Sequence, residues 1–104
     1  MSIQVITRHM CLSMDCKDRV AQLCTAVIRC CPDVLHIRVV LDDTNGPYKA
    51  GVDKRCHLTV RGRDHLRIDV DKLRADVWQS VDAAFGELWI RLTRRKRREW
   101  RLDS

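Results

Sequence analysis

The chain has 104 residues, 45 % of them hydrophobic and 33 % charged, with a formal net charge of +6. That is one domain, able to bury roughly two-thirds of its unfolded surface, and the mix argues against disorder. No apolar run approaches the ~20 residues of a membrane span, and the N-terminus lacks a signal-peptide core, so the expected location is cytoplasmic.

Ile3, Val5 and Thr7 alternate with Gln4 and Ile6, as in a short strand. Ser13 suits a helix N-cap, with Asp15 in the first turn at the positive end of the helix dipole. Cys16, Val20, Leu23, Cys24, Val27 and Ile28 then mark one apolar helical face, with Lys17, Asp18, Gln22, Thr25 and Arg29 opposite. Pro32 ends this helix. Val34 to Leu41 reads as a strand burying Leu35, Ile37, Val39 and Leu41 and exposing His36, Arg38 and Val40.

Asp42 to Asp53 has loop chemistry. Arg55 to Val60 is a strand with Cys56, Leu58 and Val60 inward, Arg61-Gly62-Arg63-Asp64 a tight turn, and Leu66, Ile68 and Val70 the returning strand. Val77, Trp78, Val81, Phe85, Leu88 and Leu92 repeat at helical steps, giving a helix from about residue 73 to 98 with Asp71 or Lys72 near its start. Gly86 inside it suggests a close approach of helix to sheet. The expected fold is α+β, in the order β-α-β-β-β-α, with both helices on one face of a mixed sheet.

The six cysteines show no C-x-x-C pair and no usual zinc spacing. A helical pattern runs through several, so Cys16 and Cys24 are expected as buried apolar groups, not as disulfide or metal partners. A cysteine-based redox or metal sensor is the minor alternative. His9, His36, His57 and His65 stand near strands without a paired carboxylate at a recognisable spacing. There is no Gly-rich phosphate loop and no nucleophile or metalloprotease motif. No catalytic residue, metal or cofactor is assigned, and the chain is not expected to be an enzyme or to take a small-molecule substrate.

Charge is the informative signal. Residues 91–104 hold seven basic and two acidic side chains, while residues 1–90 hold thirteen and twelve. The cationic end is mostly arginine, whose planar fork matches phosphate oxygens. On a continuous helix Arg91, Arg94, Arg95, Arg98 and Arg101 form a stripe, widened by Lys96 and Arg97. Like charges so close repel unless a polyanion neutralises them. Leu92 and Trp100 offer too little apolar surface for membrane insertion, so no membrane partner is expected. Trp100 suits either packing at the core edge or stacking on a base.

The order of elements and several local patterns together resemble the ribosome hibernation promoting factor family of ribosome-associated inhibitors. The resemblance covers nearly the whole chain. It rests on Ile3-x-Val5-Ile6-Thr7, on Leu12-Ser13 before the first helix, on Ile37-Arg38-Val39-Val40-Leu41, and on Cys56-His57-Leu58-Thr59-Val60 before a Gly-containing turn. Its sharpest part is Asp76-Val77-Trp78-Gln79-Ser80-Val81-Asp82-Ala83-Ala84, followed by Leu92-Thr93-Arg94-Arg95-Lys96. The resemblance implies a fold similar to the double-stranded RNA-binding domain. It also implies binding in the tRNA and mRNA channel of the small ribosomal subunit, on 16S rRNA, without catalysis. Carried over by position, the rRNA-binding residues are Lys17, Arg91, Arg94, Arg95 and Lys96, with Arg98 added from the stripe.

Leu23, Ala26, Glu87 and Ile90 stand where the family often has basic residues, and Arg8 where it usually has Gly. The cationic surface is thus expected to shift toward the C-terminus. The chain is expected to be a short form, one domain over residues 1–104 with its basic helix end at 91–104. The other reading is a small basic regulator binding structured RNA or a protein partner away from the ribosome.

Overall fold

The computed structural model describes residues 2–43 and 54–103, with side chains as far as Arg95. The order is β1 (Ser2–Arg8), α1 (Met14–Cys30), β2 (Val34–Asp43), β3 (Lys54–Gly62), β4 (Arg67–Arg74) and α2 (Val77–Asp103). The strands form one sheet in the order β1-β2-β3-β4, with β1 parallel to β2 and the other pairs antiparallel. The expected β-α-β-β-β-α architecture is present. α1 packs on β1 and β2, and α2 on β3 and β4.

α1 begins as its sequence dictates. Ser13 is the N-cap and its hydroxyl accepts the Cys16 N–H at 3.3 Å. The cap residue at its other end is Cys31, directly before Pro32. Val20, Cys24 and Val27 are fully buried against Ile37, Val39 and Leu41 of β2 and Cys56, Leu58 and Val60 of β3. Cys24 and Cys56 are protonated in this setting, because burial pushes each thiol up to about 12. Cys16, in the first turn of the helix, is only half-buried and not buried as expected.

Four expectations about the boundaries and faces of elements are corrected. Leu35 is exposed, because an irregularity between Val34 and His36 shifts the register and turns Val34 inward instead. β2 continues through Asp42 and Asp43, paired with Arg55 and Lys54, so the loop begins later, and residues 44–53 lie outside the described residues. The turn falls at Arg63–Leu66, two residues beyond the expected one. Asp64 and His65 carry positive φ of 57° and 61°, the pair required at the centre of a type I′ hairpin turn. β4 runs to Arg74, so α2 starts not near Asp71 or Lys72 but after Asp76, whose carboxylate accepts the Trp78 N–H at 2.6 Å.

Gly86 does not mark a close approach. It is exposed, and a methyl group placed on it would meet nothing within 4 Å. Gly86→Ala is therefore expected to stabilise the protein by about 0.5–1 kcal/mol, through better helix propensity and a less free unfolded chain. Urea unfolding midpoints of the two proteins check this.

Candidate nucleic-acid interface

The two helices lie side by side and run in the same direction. At one end the Arg19 guanidinium of α1 sits 5.1 Å from the centre of the Trp78 ring at the start of α2. At the other end Cys31 and Pro32 share a small crevice with Leu92 and Arg95. Trp78 and Arg94 are sixteen positions apart on one helix, about 24 Å at 1.5 Å per residue. Lys17, half-buried in α1 two residues before Arg19, is therefore at the opposite end of the helical layer from Arg94 and Arg95. The anticipated residues form two groups on one layer, not one cluster.

The arginines of α2 also differ from one another. Arg94 is exposed and has no ion-pair partner among the described residues. Arg91 is committed within the fold. Its Nε donates to Glu87 at 3.3 Å and a terminal nitrogen to the Asp69 carbonyl at 2.8 Å, so it ties α2 to edge strand β4. Arg95 is half-buried beside Asp33 and Leu66. Lys96 and Arg98 lie in the continuing helix, and their side chains, like that of Trp100, are outside the described residues. Leu92 is the last core residue of α2 among the described residues, and the helix continues for eleven residues, about 16 Å, beyond it.

Arginines that the sequence reading passed over stand at this same end. The Arg63 N–H donates to the Asp33 carbonyl at 2.9 Å, and Asp33 and Leu66 line the crevice with Arg95. The β3–β4 hairpin therefore brings Arg61, Arg63 and Arg67 to the pole from which α2 emerges. Arg61 and Arg63 are exposed, as is Arg29 at the end of α1. The available signal was three arginines within seven residues around a turn, Arg61 to Arg67. This pole can offer guanidinium forks to phosphates from three separate elements.

On β4 the Asp69 and Asp71 carboxylates are engaged. Arg55 donates through Nε to Asp71 Oδ1 at 2.7 Å, and its hydrogen bonds hold the Asp71 carboxyl below the usual 3.8. Burial alone would raise the Asp69 carboxyl, but hydrogen bonds from Arg67 and Thr59 outweigh it and keep that group low as well. Depressed folded-state values mean that this stabilisation is fully present above about pH 4 and is lost as pH falls through the lower folded values. Urea midpoints should therefore drop as pH falls below about 4, and Asp71→Asn should flatten that drop because asparagine does not titrate.

The fold is similar to that of two proteins of known structure. A ribosomal subunit interface protein from Coxiella burnetii is similar at a TM-score of 0.76 and 16 % identity, over 92 % of this chain and 98 % of that one. The Protein Y N-terminal domain from Thermus thermophilus is similar at 0.71 and 21 % identity, over 90 % of this chain and 98 % of that one. No protein-family model matches the chain, and no curated protein matches it in sequence.

Proposed function

We propose that this protein is a cytoplasmic ribosome-binding translation silencer of the hibernation-factor type. In this reading it occupies the tRNA and mRNA channel of the small subunit and contacts 16S rRNA through phosphates. It works by occupying space and performs no chemical step. The observation that carries the reading is the fold shared over nearly the full chain with a ribosomal subunit interface protein. The arginine-rich end of α2 supports it, because filling an RNA-walled channel needs rigid shape and phosphate contacts, not base readout.

Arg94, Arg95, Lys96 and Arg98 carry the main contact in this proposal, joined by Arg61 and Arg63 of the hairpin. Lys17 supplies a separate contact at the far end of the helical layer. Arg91 contributes less, because its guanidinium already bridges Glu87 and β4.

The test is sedimentation of the protein with purified small subunits and with whole ribosomes at low salt, alongside inhibition of translation in vitro. Co-sedimentation together with dose-dependent inhibition is expected. Absence of both at excess protein, with retained binding to a structured RNA hairpin, would transfer the protein to the class of general RNA-binding regulators.

A further inference from the structure

The face of the sheet turned away from the helices carries five arginines, Arg8, Arg38, Arg55, Arg61 and Arg67, against three aspartates, by the register of its strands. The aspartates are all engaged. Asp71 is held by Arg55, Asp69 by Arg67 and Thr59, and Asp42 by His9 Nδ1 at 2.9 Å. Arg8 and Arg38 are exposed and have no ion-pair or hydrogen-bond partner among the described residues. They line the same open hollow of about 200 Å³, together with Val40, Arg55, His57, Thr59 and Asp42, whose carboxylate accepts from His9.

The layout of this hollow matters. Arg38 pairs with Gln4 of β1, four residues before Arg8, so the two arginines are rooted about 13 Å apart along the strand direction. The row between them is the apolar pair Ile6 and Val40, both half-buried, with His57 next in line. Two cations with a small apolar step between them match phosphates two nucleotides apart on one extended strand, with a nucleoside over the step. An imidazole beside the step gives a base a surface to stack on. The hollow is shallow and open, which suits an extended chain crossing the sheet better than a compact ligand that must be enclosed.

We propose that the open face of the sheet is a second phosphate-binding surface, which takes a single strand of RNA through Arg8 and Arg38 with a nucleoside over Ile6, Val40 and His57. This surface is on the side of the sheet opposite α1 and α2 and does not use the α2 arginines. A protein inserted between RNA walls would thereby hold RNA on both of its faces.

The test needs no ribosome, so its outcome is separate from that of the silencing proposal. A fluorescein-labelled twelve-nucleotide oligouridylate is titrated by anisotropy across a salt series. The proteins are the wild type, Arg8→Ala with Arg38→Ala, and Arg94→Ala with Arg98→Ala. Removing two phosphate contacts should weaken binding about ten-fold at ~0.15 M salt and reduce the log–log salt slope by about 1.4. Amide chemical-shift changes on adding the oligonucleotide should map to Arg8, Arg38, Val40 and His57, and should persist in the Arg94, Arg98 variant. An unchanged melting temperature of the Arg8, Arg38 variant shows that the loss is not unfolding. The proposal is overturned if that variant binds like the wild type, if shifts are confined to α2, or if polyglutamate of equal charge binds as tightly with the same dependence on Arg8 and Arg38.

Discussion

Ribosome binding by the Arg94→Ala, Arg98→Ala variant should be about twenty-fold weaker than wild type at ~0.15 M salt, with the difference vanishing as salt approaches ~1 M. The expectation follows from counterion release. Each phosphate neutralised frees condensed ions and contributes a log–log slope of about −0.7 to −0.9, so losing two contacts should reduce the slope's magnitude by roughly 1.4 to 1.8. Arg94 is the better choice of the neighbouring pair, since it is exposed while Arg95 is half-buried beside Asp33 and Leu66. Removing Arg95 would mix lost packing with lost charge. Replacing both positions with lysine instead should recover the slope but only part of the affinity, because ammonium groups keep the charge and lose the bidentate fork. Sedimentation of the three proteins with small subunits across a salt series reads all of these effects. Identical slopes for wild type and the alanine variant would assign the α2 end to solubility alone.

Gly62→Ala should destabilise the fold by about 3 kcal/mol, near the upper end for overpacking. A methyl carbon on Gly62 would lie 2.0 Å from the Asp33 carbonyl oxygen and 2.9 Å from a Leu66 methyl. The backbone atoms cannot swing aside as a side chain would. Separating them breaks the hydrogen bond from the Arg63 N–H to that same carbonyl. The effect should extend beyond stability. This contact holds the β3–β4 hairpin against the segment after α1, and so places Arg61 and Arg63 beside the emerging end of α2. The variant should thus show a lower urea midpoint and, where still folded, weaker ribosome binding. A midpoint within ~0.5 kcal/mol of wild type in free-energy terms would mean that the two segments separate without penalty.

Local patterns settled much of this protein at the level of sequence. The Ser13 cap, the apolar stripe of α1, the alternation of Cys56, Leu58 and Val60, and the helical repeat from Val77 to Leu92 each depend on neighbours a few residues away. The β-α-β-β-β-α order followed from them, and so did the arginine-rich end. What failed to show depends on partners distant in the chain. The exposure of Leu35 needs the irregular pairing of β2 with β3, which no alternation within β2 reveals. The turn at Asp64 and His65 was displaced by two residues because Gly62 is required for a close approach to Asp33 and not for the turn itself.

The charge pattern divides in the same way. That residues 91–104 attract a polyanion is legible from composition. The sequence alone did not show that Arg91 is tied to a β4 carbonyl or that the hairpin arginines join the same pole. Nor did it show that Lys17 lies at the opposite end of the layer, or that Arg8 and Arg38 on the open face have no ion-pair partner among the described residues. A side chain's availability is set by what the fold packs beside it, and tertiary structure alone makes that choice.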